Sequence, residues 1–414
     1  PIRWRKSNLT DGKWSKSKNP EKSKQLLALQ KEREIFLSSL QTDKERKELA
    51  GKKKERKEVE KSLKALPVGK MVYAATTHFK PRGQFKPTEG KSRMIHVLHR
   101  GEVNQLGDSV RPGTIPLLAK EKWEFDLPEV HDEAERRAAL AEWIVREDHS
   151  LTWRAIVNRV WQWHFGQPIV GTPNDFGPLG QSPTHPELLD WLAVYFRDSG
   201  GSFKKLHKLL VMSETYRQSS LEDGDKSKID SSNQWLWRMN RRKLSAEEMR
   251  DAVLLVSGKL NLEMGGPGFY LFKLEQTAHS PHYYYHKFDP EDQKSHRRSI
   301  YRFVVRSQPN PFMTTLDCAD SSQSTPRRNE TLTALQALSL LNNKFTLAMS
   351  QHFANRLAQE GKGSGYQIKA GFGLVAGRLP NPEEYQLLVQ YAEEHGMANL
   401  CRSLFSLSEF SFID

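Results

Sequence analysis

Thr184-His185-Pro186-Glu187-Leu188-Leu189-Asp190-Trp191-Leu192 is the stretch on which the fold class turns. A hydroxyl residue followed three positions later by glutamate reads as a capping box. Proline in the first turn removes only an amide that a helix leaves unpaired anyway. Leu188, Leu189, Leu192 and Phe196 then recur at helical spacing, which predicts a helix over residues 186–198 with one apolar face toward a core.

The same pattern continues on both sides. Ala134, Ala138, Ala141 and Val145 predict a helix that ends before Asp148, and Ile156, Val160 and Trp163 predict another over 151–165. A helix over 204–216 follows. Ser245-Ala246-Glu247-Glu248 is a second capping box, opening a helix through Leu260. Gly265-Gly266-Pro267-Gly268 ends that unit. Residues 269–296, with Tyr283-Tyr284-Tyr285-His286, read as a long insertion or flap, and 299–306 as a strand. Helices are expected again over 331–342, 344–357, 383–394 and 398–407.

Upstream, the character changes. Residues 1–66 form a Lys/Glu-rich segment with one long charged helix expected over 21–66. Its apolar residues keep no sustained heptad, so it reads as a helical arm or linker rather than a coiled coil. Residues 67–130 read as a small β-containing connector, the tail of a preceding domain, with strand-like runs at Met71-Val72-Tyr73-Ala74 and Met94-Ile95-His96-Val97-Leu98. The expected fold is therefore mainly α: a multi-helix globular body over 131–414, a small β hairpin or sheet, and the charged N-terminal helix.

Composition narrows the function classes. The net charge of +13 suggests nucleic acid until it is located. Residues 1–70 hold 21 Lys/Arg against 10 Asp/Glu, and the remainder is nearly balanced at 42 against 40. The basicity belongs to the arm, where a solvated helix face explains it. No apolar run approaches the roughly 18 residues that a membrane-crossing helix needs. The opening Pro1-Ile2-Arg3-Trp4-Arg5-Lys6 is neither an initiation site nor a signal peptide, so the natural N-terminus is expected upstream. Cys318 and Cys401 cannot build a disulfide framework, a zinc knuckle or a haem-attachment motif; a single bridge between them stays open beside the simpler reading of two unrelated buried thiols. His279, His282, His286 and His296 lack metal-ligand spacing, and no metal site is expected. Nucleophile elbow, phosphate loop and dinucleotide fingerprint are all missing.

Four strings carry a family resemblance: Asn158-Arg159-Val160-Trp161-Gln162-Trp163-His164-Phe165-Gly166; Asn174-Asp175-Phe176-Gly177 continuing to residues 183–192; Ser213-Glu214-Thr215-Tyr216-Arg217-Gln218-Ser219; and Arg327-Arg328-Asn329 leading into Leu335-Gln336-Ala337-Leu338-Ser339-Leu340-Leu341-Asn342. With Ser406-Leu407-Ser408-Glu409-Phe410, they resemble the planctomycete-specific C-terminal domain of unknown function that accompanies planctomycete cytochrome c domains. The resemblance covers residues 71–414. It implies a C-terminal position behind a haem-binding domain, an extracytoplasmic location in the periplasm or cell envelope, and a sulfatase-like partner. It implies no settled activity. Haem is expected only in an upstream domain of the same protein, and no cofactor in this chain.

Three groups of candidate site residues each keep two readings. Asn158, Arg159 and His164 are either the polar wall of a ligand cleft with tryptophan platforms or clamps on loop backbone. Asp175, in a Gly- and Pro-rich loop, and His185, at a helix start, are either a catalytic acid/base pair or a loop clamp and a capping residue. Arg327, Arg328 and Asn329, together with Arg297-Arg298, suit carboxylate or sulfate ligands or else pair with Asp317, Asp320 or Glu330. The shared-site expectation is that Asn158, Arg159, His164, Asp175, His185, Arg327, Arg328 and Asn329 line one cleft. The leading functional expectation is an accessory or binding module of an envelope-associated multidomain protein linked to glycan processing or redox assemblies. An enzyme acting on acidic or sulfated sugars is the alternative, and nucleic-acid binding through the arm ranks last.

Overall fold

The structure is a computed structural model that describes residues 31, 35, 42–66, 80–115, 123–278, 280–361 and 363–413. It divides into two compact units, residues 1–91 and 92–414. The expected strand at Met71–Ala74 lies outside the described residues, as does His279.

In the first unit, helix α1 (Asp43–Ala65) begins at a capping box. The Thr42 hydroxyl accepts from the Glu45 amide, and the Glu45 carboxylate accepts from the Thr42 amide. Side-chain pairs one turn apart, Lys52–Glu55 at 3.0 Å and Arg56–Glu60 at 2.8 Å, run along a surface whose described side chains are all exposed. Local interactions, rather than a buried face, form this helix.

The second unit is mainly α. Its expected β hairpin is present: β1 (Ile95–Leu98) pairs antiparallel with β2 (Leu106–Val110), Ile95 opposite Val110. Helix α2 (Glu133–Ile144) follows, with Asp132 and Glu135 forming its capping box. Helices α3 (Ser150–Phe165), α4 (Pro186–Asp198) and α5 (Phe203–Val211) then bury Val157, Val160, Phe165, Leu189, Leu192, Phe196 and Leu206 against one another. The helix expected over 204–216 is broken, because the Ser213 hydroxyl accepts from the Tyr216 amide and starts a new turn, α6 (Glu214–Arg217). Helix α4 begins where expected but without the Thr184 box. The Thr184 hydroxyl is spent on the Ile169 carbonyl, and His185 sits at the cap with no side-chain capping bond.

After the short helix α7 (Gly224–Ile229) and the strand β3 (Arg242–Lys243) comes the second helical core. The Ser245–Glu248 box opens α8, which runs over Ala246–Val256 and stops short of the expected Leu260. Helices α9 (Pro311–Thr315), α10 (Ala334–Asn342), α11 (Lys344–Gln359), α12 (Ser364–Ala376), α13 (Pro382–His395), α14 (Met397–Leu404) and α15 (Ser408–Ser411) complete the array. Met249, Val253, Leu254, Met349, Phe353, Leu357, Cys401 and Phe405 form its centre. The last strand, β6 (Phe412–Ile413), closes on β3.

Two stretches differ from expectation. The insertion at 269–296 contains a paired hairpin, β4 (Lys273–Gln276) with β5 (Pro281–Tyr284). The strand expected over 299–306 is absent. Ser299–Tyr301 is a 3-10 turn, and only Arg302 bridges a neighbouring chain segment, at Phe269. Ile300 is 74% exposed and Val304 44% exposed, so the β-branched run has no sheet to cover it. Cys318 and Cys401 are free thiols, and burial pushes the Cys401 thiol up to about 12.

Candidate functional site: a cationic cavity and its polar neighbour

Helix α3 separates its string of polar residues by face. Asn158 points inward, is fully buried, and makes two hydrogen bonds to one residue. Its amide nitrogen donates to the Val170 carbonyl at 3.1 Å, and its oxygen accepts from the Val170 amide at 2.9 Å. This satisfies both backbone groups of a loop that lacks a strand partner. Arg159, on the other side, donates to the Asn174 side-chain oxygen. Trp161 is core, whereas Trp163 is 61% exposed.

His164 faces a third direction. Its Nε2 meets His207 Nδ1 at 2.7 Å, and its ring lies edge-on to Tyr216. Burial, followed by the charges of His207 and Arg242, lowers its pKa.

Asp175 is held inside its own loop. Its Oδ1 accepts from the Gly177 amide at 2.8 Å, and its carbonyl accepts from the Thr172 hydroxyl at 2.7 Å. A Cβ at Gly180 would lie 2.2 Å from that carbonyl, which is why glycine stands there. His185 Nδ1 lies 2.9 Å from the Thr184 hydroxyl, and among the described residues no hydrogen bond joins it to Asp175.

Two neighbouring cavities collect the rest. The first, of about 460 Å³, is walled by Arg159, Gln162 and Trp163 of α3, by Arg242, Lys243, Ser245 and Glu248 around the start of α8, and by the loop carrying Arg327, Arg328, Asn329 and Glu330. Its lining includes five cationic side chains, Arg159, Arg242, Lys243, Arg327 and Arg328, against three carboxylates, Glu248, Asp317 and Glu330. Most of the cations are pinned. Arg242 makes a two-pronged bond to Glu248 at 2.8 and 3.0 Å, Lys243 meets Asp317 at 2.9 Å, and Arg328 reaches Glu247 at 3.1 Å. Burial opposes the charge of Glu247, but Arg328 and the bond from Cys318 help hold its pKa below the ordinary carboxylate value. Arg327 is exposed and has no hydrogen-bond or ion-pair partner among the described residues.

The second cavity, of about 490 Å³, has Arg327 on its wall too, and with it His185, Gln167, Gln181, Asn233 and Gln234. Of the eight residues expected to share one cleft, Arg159, Arg327, Arg328 and Asn329 therefore line the first cavity, and His185 with Arg327 the second. Asn158, His164 and Asp175 line neither. Arg297, a further anion candidate in the sequence, is buried and donates instead to the carbonyls of Glu263, Gly265 and Pro267.

Sequence reading missed Arg242, Lys243 and Glu247, although a basic run directly before the Ser245 box is a signal that helix-start patterning makes visible. It also missed the loop 230–236. Among the described residues no group of three or more His, Cys, Asp or Glu side chains could hold a metal ion, and no helix is long and apolar enough to cross a membrane.

A two-core helical protein with an arginine-rich cavity is the class that fold and geometry define. The chain belongs to the PSD1 family, described as a protein of unknown function (DUF1553), whose profile matches residues 136–392. No curated protein and no solved structure matches it.

Proposed function

We propose that this chain is a binding module for an anionic glycan, one carrying carboxylate or sulfate groups, and acts as an accessory part of a larger envelope-associated protein. One observation carries the reading. Among the described residues Arg327 has no partner, on a cavity wall where Arg159, Arg242, Lys243 and Arg328 are already fixed by neighbours. A guanidinium is a two-pronged donor suited to carboxylate and sulfate oxygens, and preset charges lower the cost of ordering a ligand. Exposed Trp163 on the same wall offers an aromatic face.

The resemblance to planctomycete cytochrome c-associated proteins supports placing the module behind a haem-binding domain, outside the cytoplasm and near a sulfatase-like partner. The catalytic alternative gains no support from geometry, since Asp175 and His185 keep separate partners.

Calorimetric titration of the full chain with a sulfated galactan hexasaccharide and its desulfated counterpart tests the proposal. Binding of the sulfated form is expected, weakened about tenfold or more by Arg327→Ala, the loss of one charge-assisted contact. Equal affinity for both sugars, or an Arg327→Ala chain that binds like the parent, would overturn it.

A further inference from the structure

The cavity on the other side of Arg327 has a different chemistry. Gln167, Gln181 and Gln234 line it, and the side-chain amides of all three lack a protein partner among the described residues. An amide both donates and accepts, as a sugar hydroxyl does. No carboxylate stands on this wall, and Arg327 is its one permanently charged residue among those described. That composition suits an uncharged, hydroxyl-bearing ligand better than a metal ion or a phosphate. The amide of Gln181 lies where a Cβ on Gly171 would come within 1.8 Å of it, so glycine at 171 leaves the room that Gln181 occupies.

The rim carries the second, independent observation. Trp235 is 66% exposed, and its ring is edge-on to His185 with centroids 5.7 Å apart. An exposed tryptophan has no packing reason to be fixed, yet the loop that presents it is heavily braced. The Asp230 carboxylate accepts from the amides of Gln234 at 2.9 Å and Trp235 at 2.8 Å. Buried Asn233 donates to the Arg238 carbonyl at 2.7 Å and to the Asn240 side chain at 3.0 Å. Asn233 and Leu236, on either side of the pair, hold φ of 54° and 56°, the left-handed region that costs a non-glycine residue. Two such residues flank Gln234, which lines the cavity, and Trp235, whose ring meets His185 of the cavity wall. An indole offers a flat apolar face with a donor at its rim, matching the C–H face of a sugar ring.

We infer that this second cavity is a subsite for an uncharged sugar ring, stacked on Trp235 and bonded by Gln167, Gln181 and Gln234, contiguous through Arg327 with the cavity that takes the anionic group. The inference rests on the glycan reading above and adds to it the substrate class: an oligosaccharide in which a neutral ring neighbours an acidic or sulfated one. Its volume of about 490 Å³ falls within the ordinary range for ligand pockets.

The test measures three probes against the full chain: inorganic sulfate, the sulfated galactan hexasaccharide and its desulfated counterpart. The sulfated hexasaccharide should bind more tightly than inorganic sulfate. Trp235→Ala should weaken hexasaccharide binding about fivefold or more and leave sulfate affinity unchanged, with Trp235→Phe keeping most of it. Arg327→Ala should weaken both. Should Trp235→Ala lose its melting transition, Gln181→Ala reads the same cavity without touching the braced loop.

If neither Trp235→Ala nor Gln181→Ala alters hexasaccharide affinity, the subsite is wrong while the anionic reading stands. Binding of the desulfated sugar alone, sensitive to Trp235, would keep the subsite and overturn the anionic reading. If none of the probes binds, both fall.

Discussion

Lys243 and Asp317, 74 residues apart in sequence, meet at 2.9 Å on the wall of the cationic cavity, both largely buried. Lys243 also donates to the Thr331 carbonyl and to Gln336, while Asp317 accepts from the Thr331 amide and hydroxyl and from Gln336. The pair thereby ties β3 to both ends of the loop that carries Arg327 and Arg328. Asp317→Ala would leave a buried ammonium without its counter-charge, a change that costs about 3 kcal/mol or more. A fall in the urea midpoint at unchanged slope is expected. Replacing Lys243 by Met together with Asp317 by Leu should recover much of it, since an apolar pair leaves no orphan charge.

Asp317 should also leave a pH signature. Burial by itself raises its pKa, but the bonds from Lys243, Thr331 and Gln336 outweigh that and hold it below the ordinary value. A carboxyl with a lowered folded pKa stabilises the fold above its unfolded value, about 3.9, and that stability is lost as pH falls through the lower folded value. Asp317→Asn should therefore flatten the acid limb of a stability-versus-pH curve below about pH 4. An unchanged limb would mean that other carboxylates set it.

Asn158 and Arg327 both stand in polar strings of the sequence, but one is buried against Val170 and the other is exposed on a cavity wall. Asn158→Ala strips partners from the buried amide and carbonyl of Val170, at about 1–3 kcal/mol for each group left unsatisfied. Arg327→Ala removes an exposed side chain that has no partner among the described residues, and it should leave the melting temperature within about a degree or two. Thermal melts of the two variants separate the clamp from the proposed ligand contact. A stable Asn158→Ala chain would show that water replaces the amide.

The boundary between what the sequence reveals and what it hides follows the range of the interactions. Capping at Ser245–Glu248 and the apolar spacing of Leu189, Leu192 and Phe196 are local, and they placed α8 and α4. The Thr184 box failed because its hydroxyl answers Ile169, fifteen residues back, rather than the next turn. The run 299–306 looked like a strand because strand propensity cannot report whether a neighbouring strand exists. Lys243–Asp317 and Arg328–Glu247 obey no periodicity at all, since they join residues 74 and 81 apart. Arg159, Arg327, Arg328 and Asn329 line one cavity, and their division from Asn158, one position before Arg159, depends on which way a helix side chain points.

His164 makes a second pH prediction in the same direction as Asp317, but for the opposite reason: folding disfavours its charged form instead of favouring it. Burial, His207 and Arg242 all resist its protonation in the folded chain. The unfolded chain therefore binds the proton first as pH drops below about 6.5, and stability falls with it until the folded pKa is passed. His164→Gln should remove this component from melts recorded as pH is lowered below about 6.5. Histidine carbon shifts followed by NMR provide the direct check: a His164 that titrates at the ordinary value would refute the argument.

Arg250 supplies the last prediction, because it is almost fully buried at 1% exposure and lies outside the cationic cavity. Its guanidinium donates to the Arg297 carbonyl at 3.1 Å, to the Ser299 hydroxyl at 3.2 Å and to the Ser295 carbonyl, so one side chain satisfies the segment 295–299. The rings of Phe269 and Phe345 lie 5.1 and 5.3 Å from its centre, and Asp251 is 3.5 Å away. Burial lowers its pKa to about 10, which still leaves it charged at neutral pH. Lysine carries its donors on a single nitrogen and cannot reproduce a planar fork that reaches separate acceptors. Arg250→Met should therefore lose about 3 kcal/mol or more, because two buried carbonyls lose their donors, and Arg250→Lys should recover only part of that, since one ammonium cannot occupy both guanidinium positions. Urea titration compares them. Both variants, while folded, should bind the sulfated hexasaccharide with parental affinity, since Arg250 touches neither proposed subsite. A folded Arg250→Met chain that fails to bind would place Arg250 in the recognition machinery and count against the two-cavity arrangement.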